Sequence, residues 1–100
     1  MARFSTKLTK AQAERLICLA EELSEAVQAV TKILRHGYDS YDPRQGYGSP
    51  TNRTHLEKEL GDVRYWMIRI CDEGDISKTQ IHIWAHAKSI STKKCLHFQK

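Results

Sequence analysis

From Thr9 to His36 the sequence runs without a glycine or a proline, and this unbroken stretch limits the fold more than any other feature. Those two residues are the strongest helix breakers, so a run of this length that keeps a helical period is one long helix, about residues 9–36. Its start has the spacing of a capping box, Thr9-Lys10-Ala11-Gln12, and Gly37 is well placed just past its end. Leu16, Ala20, Leu23, Val27, Val30 and Leu34 recur in alternating steps of four and three, the pattern of a helix packed lengthwise in a bundle. On a different side, Glu22 and Glu25 fall among Cys18, Ala26, Ala29 and Ile33. Small and apolar neighbours imply that a second helix covers this side. The two carboxylates would then be partly desolvated and in need of a partner.

Residues 37–54 change to Gly, Tyr, Asp, Pro, Ser and Asn without periodicity, and an aperiodic connection of this length reads as a lid-like loop. Tyr38, Tyr41, Tyr47 and Arg44 suit closure on something flat or anionic, although loop tyrosines also pack on their own domain. A second helix is expected at about 55–73. Thr54-His55-Leu56-Glu57 has capping-box spacing, Leu56, Leu60, Val63, Met67 and Ile70 form its stripe, and Gly74 ends it. A third, at about 76–90, carries Ile76, Ile83, Ala87 and Ile90 with Trp84 nearby, and a basic tail follows to Lys100. Neither strand alternation nor an internal repeat is present. The expected fold is therefore all-α, a single domain over residues 1–100. Three helices leave a chain of 100 residues short of core, so a helical bundle completed by dimerisation is the default, with a homotetramer as the larger option.

The chain is 40% hydrophobic and 28% charged, the profile of one soluble domain. No apolar run approaches the roughly 18 residues that span a bilayer, and the first seven residues lack a signal peptide's apolar core. A cytoplasmic protein that does not engage membranes is expected. Cys18, Cys71 and Cys95 show no CxxC spacing and read as reduced, mostly buried filler.

The chemistry concentrates in two short stretches, Glu21-Glu22-Leu23-Ser24-Glu25 and Glu59-Leu60-Gly61-Asp62. In each, carboxylates three residues apart return to one helix face. Acids sharing a face repel by a few tenths of a kcal/mol, so the arrangement wants a counter-charge. Carboxylate oxygens are hard ligands, and four converging from two helices suit Mg²⁺, or Mn²⁺, rather than Zn²⁺. The net charge is +4, with Lys7, Lys10, Lys88, Lys93, Lys94 and Lys100 flanking an acidic middle. That distribution fits a site for a polyanion plus a metal, and equally a small nucleic-acid binder. His82 and His86 stand four apart but lack a supporting ligand for zinc. Gly46-Tyr47-Gly48 is not followed by the Gly-Lys-Ser/Thr of a phosphate loop.

The pair EELSE and ELGD resembles the EExxE…ExxD signature of the all-α NTP pyrophosphohydrolases, the superfamily of MazG-type enzymes, dimeric dUTPases and phosphoribosyl-ATP pyrophosphohydrolase. The run Glu59-Leu60-Gly61-Asp62-Val63, the pair Thr51-Asn52 and the pair Ala87-Lys88 add to it. The likeness to short, phage-type MazG-like proteins covers roughly Leu16 to Lys88; the gap from Glu25 to Glu59 is longer than usual, and the end of the third helix matches less closely. The resemblance implies Mg²⁺ held by Glu22, Glu25, Glu59 and Asp62. Glu21 would complete the motif and orient or deprotonate water, or bind a second ion; Glu22 would share the catalytic role. The implied reaction converts an NTP or dNTP to the monophosphate and pyrophosphate, which needs a metal to polarise a phosphoryl oxygen and cations to neutralise the leaving group. Lys88, Arg53 and Arg44 are the candidate cations, each also readable as a solvated surface charge. Asn52 is a candidate contact to base or sugar, though an N-cap asparagine needs no ligand. Two rivals stay open: a basic helical protein that binds nucleic acid or a partner without catalysis, and a hydrolase of a signalling nucleotide such as (p)ppGpp.

Overall fold

Thr9 begins the first helix as its sequence suggests. Its hydroxyl accepts from Gln12 N at 3.0 Å while Gln12 Oε1 accepts from Thr9 N at 2.9 Å, and the reciprocal pair starts α1, Lys10–His36. In the computed structural model, which describes residues 7–99, α1 is followed by α2, Asn52–Asp72, and α3, Lys78–Ser91. Short 3₁₀ turns occupy Pro43–Gln45 and Thr92–Lys94, and no strand occurs among the described residues. The fold is all-α. Lys100, part of the expected basic tail, and residues 1–6, read above for a signal peptide, lie outside the described residues.

α2 starts three residues earlier than its sequence spacing suggested. Thr51, not Thr54, takes the cap, its hydroxyl accepting from Thr54 N at 3.3 Å. At its other end, Gly74 N donates to Cys71 O at 2.9 Å and Asp75 N to Ile70 O at 3.2 Å, the two bonds of a Schellman turn, with Gly74 at φ 81°. This left-handed position is where a residue without Cβ is needed. α3 is displaced too, beginning at Lys78 behind a Ser77 cap rather than at Ile76.

α1 and α2 form an antiparallel pair, closed at both ends. The Schellman turn aims Asp75 back at the start of α1, where its carboxylate accepts from Arg15 at 2.9 and 3.2 Å and from Gln12 Nε2 at 3.3 Å. Both partners of this ion pair are largely buried, with side chains 14% and 16% exposed. At the loop end, Asn52 N and Arg53 N donate to Ser40 O and Tyr38 O, each at 2.8 Å, and Asn52 Nδ2 donates to Gly37 O at 3.1 Å.

Packing within the pair is carried by the small-residue side of α1. Ala26, Ala29 and, on α2, Ile70 are the buried residues among those described, as the second helix expected over that side requires. The longer stripe of α1 is uncovered: Leu16, Leu23, Val27, Val30 and Leu34 are all exposed. α3 buries no residue and packs along neither α1 nor α2, leaving Ile83, Trp84 and Ile90 in the open. The radius of gyration is 17.9 Å, against about 13 Å for a compact chain of this length. Cys18 and Cys71 are half-buried, whereas Cys95 is exposed rather than the filler expected.

Candidate metal centre

Closure of the α1–α2 pair at both ends sets the register, and the register brings carboxylates together from both helices. Glu22 and Glu25 lie one turn apart on α1, Glu59 faces them from α2, and each offers an oxygen within 4.8 Å of the others'. Oxygens that share a Mg²⁺ at about 2.1 Å stand about 3–4 Å apart, so small side-chain rotations suffice for ligation. Glu22 and Glu59 are half-buried and Glu25 is exposed at the mouth. One oxygen of Glu22 and one of Glu59, both Oε2, are buried without a hydrogen-bond partner. Buried polar atoms are ordinarily satisfied, and two orphaned carboxylate oxygens in one acidic cluster are what a cation would relieve. Among the described residues no other group of three acidic, His or Cys side chains converges in this way. The donor set fits a hard divalent ion.

The electrostatics agree with the geometry. Burial holds the Glu22 carboxyl above the usual carboxylate range, and the charges of Glu25, Asp62 and Glu59 push it further. Asp62 contributes to this field but stands outside the converging three. Its Oδ2 accepts from Lys58 Nζ at 2.9 Å, and the same ammonium lies 3.7 Å from Glu59 Oε1. Lys58 is thereby a local counter-charge, its proton held more tightly through Asp62 first. Glu21 is exposed, on the open side of α1.

One recess adjoins this cluster, and a second adjoins the first. The smaller, about 270 Å³, is walled by Glu25, Gln28, Ala29, Lys32, His55 and Glu59. The larger, about 470 Å³, lies between the last turns of α1, residues 40–45 and the start of α2; Lys32, Arg35, His36, Tyr41, Arg44, Asn52 and His55 line it. Lys32 and His55 belong to both. Sequence spacing carries a signal for each: Lys32 follows Glu25 by seven residues and His55 precedes Glu59 by four, so each returns to its acid's helix face.

The remaining candidates fare differently. Asn52 lines the larger recess while its amide holds Gly37 O. Arg53 is committed to the loop: its guanidinium donates to Asp39 at 3.2 and 3.4 Å and lies over the Tyr38 ring at 4.5 Å. Arg44 lines the recess but is forked onto Asp42 at 3.0 to 3.3 Å. Lys88 is on α3 and lines neither recess, and His82 and His86 share that helix. Tyr41 and Tyr47 pack edge to face at 6.4 Å.

No curated protein and no solved structure matches the chain. The family model described as MazG nucleotide pyrophosphohydrolase domain matches residues 11–95, a span that contains both acidic motifs and both recesses. The chain belongs to the MazG nucleotide pyrophosphohydrolase family.

Proposed function

We propose that the protein is a Mg²⁺- or Mn²⁺-dependent hydrolase that converts an NTP or dNTP to the monophosphate and pyrophosphate. The observation that carries this reading is the convergence of Glu22, Glu25 and Glu59, with two buried oxygens left unpartnered. These three would hold the ion, and Asp62, three residues beyond Glu59, would join them on release from Lys58. When bound, such an ion supplies Lewis-acid polarisation of phosphoryl oxygens. Glu21, exposed on α1 beside Glu22, would orient the attacking water or take its proton, or bind a second ion, with Glu22 sharing the catalytic role. Partial burial of Glu22 and Glu59 strengthens their interaction with an ion by excluding part of the solvent.

The same reading takes two copies as the working unit. Leu16, Leu23, Val27, Val30 and Leu34 form a continuous apolar face on α1, and neither α2 nor α3 covers it. A second α1 packed lengthwise would bury both copies of that face at once. A tetramer would extend the same packing.

A panel of nucleotides with Mg²⁺, scored separately for pyrophosphate and orthophosphate, tests the activity. Pyrophosphate release that vanishes with EDTA and with Glu59→Gln is expected. Release of orthophosphate alone, or turnover indifferent to both treatments, refutes the reading. Salt-sensitive binding of DNA or RNA without hydrolysis would favour the nucleic-acid alternative.

A further inference from the structure

The recess beside the acidic cluster and the larger one next to it are opposite in charge and share a wall, Lys32 and His55. The smaller holds the carboxylates of Glu25 and Glu59, whereas the larger carries Lys32, Arg35 and Arg44 against a single carboxylate, Asp42. Arg44 and Asp42 neutralise one another in their ion pair. Lys32 and Arg35 are left, and neither enters an ion pair among the described residues. An uncharged base has no use for two cations gathered in one cavity; a chain of phosphates does. Backbone amides of the adjoining helix start are not the attraction, because Asn52 N and Arg53 N already donate to Ser40 O and Tyr38 O. Side-chain charge is.

We propose, resting on the functional reading above, that the larger cavity seats the terminal phosphates of the substrate, with Lys32 as the cation shared between the metal recess and the phosphate cavity and Arg35 behind it. Lys32 is suited to the shared position because it lines both recesses, with Glu25 on one side and Arg35 on the other. His55, on α2, faces the same junction and adds a ring N–H. The leaving pyrophosphate would rest in this cavity. Affinity is then expected to rise from monophosphate to triphosphate.

The test is pyrophosphate binding to the full chain by calorimetry in EDTA, beside Mn²⁺ binding followed by electron paramagnetic resonance. Wild type is expected to bind pyrophosphate more tightly than orthophosphate or a nucleoside monophosphate. Lys32→Gln is expected to weaken pyrophosphate about tenfold or more, the effect of losing one charge-assisted contact, with Lys32→Arg restoring most of it. Glu59→Gln is expected to abolish Mn²⁺ binding while leaving metal-free pyrophosphate affinity unchanged or tighter. Lys32 is exposed on α1, so helicity of Lys32→Gln by circular dichroism should match wild type. Pyrophosphate affinity untouched by both Lys32→Gln and Arg35→Gln overturns the proposal, as does displacement of pyrophosphate by a short single-stranded oligonucleotide at lower concentration than by a triphosphate. If nucleotides are hydrolysed while Lys32→Gln changes neither pyrophosphate affinity nor KM, the phosphate seat falls and the activity stands. If no nucleotide is hydrolysed but Lys32→Gln releases pyrophosphate, the seat stands and the activity falls.

Discussion

Replacing Val27 by Asp is the sharpest probe of association, because Val27 sits mid-stripe on α1 and its exposure of 65% leaves little for the substitution to disturb within one chain. Burying a valine side chain fully is worth about 1.5–3 kcal/mol, and roughly two-thirds of that, about 1–2 kcal/mol, remains to be gained here. A two-fold interface counts the residue once per copy, giving about 2–4 kcal/mol, or about thirty- to a thousandfold in the dissociation constant. Burial of two like-charged carboxylates would add to the loss. Sedimentation equilibrium over a range of concentrations reads the effect directly. Wild type is expected to be dimeric or larger and Val27→Asp monomeric at the same concentration, with helicity retained. A wild type that stays monomeric at high concentration, or a Val27→Asp chain that associates as wild type does, refutes the reasoning.

Ile70 is 1% exposed, so Ile70→Ala should lower stability by about 2–5 kcal/mol in denaturant titrations at fixed protein concentration. Asp75 is held below the ordinary carboxylate range, chiefly by the hydrogen bond from Arg15, so its stabilisation is present above about pH 4 and is lost as pH falls through the depressed value. Asp75→Asn should therefore unfold at a lower temperature than wild type at neutral pH, with the gap closing in acid; a constant gap would contradict the assignment. Glu22 is shifted the opposite way, chiefly by burial, so in EDTA its ionisation opposes folding as pH rises through the raised value. Glu22→Gln should raise the metal-free melting temperature near neutral pH and remove the increment that Mg²⁺ gives to wild type. Both are read by thermal melts with and without the ion.

Much of this was legible in the residues. The run free of glycine and proline up to Gly37 and the alternating stripe marked α1, and the small residues around Glu22 and Glu25 identified the side that α2 covers. Periodicity is a property of one helix, and it carries that far. Which caps compete is a finer matter: Thr51 and Thr54 both offer a hydroxyl, and the loop carbonyls that receive Asn52 N and Arg53 N favour the earlier start. Pairings across helices are hidden from spacing altogether. Nothing in the order of residues marks Asp75 as the partner of Arg15, sixty positions away, or Arg53 as occupied by Asp39. The detachment of α3 was equally invisible, since an apolar face reads alike whether its cover lies in the same chain or in another.

The two clasps that hold α1 against α2 also decide what part of the molecule is free to vary. One joins residues 37–40 to the first residues of α2, and the other joins Asp75 to Arg15. Everything between Tyr41 and Pro50 is an excursion outside them, so its length does not enter the register that brings the two acidic motifs together. That excursion nonetheless walls the larger cavity. Lengthening or shortening it would redraw the room offered to a substrate while the carboxylates stayed where they are.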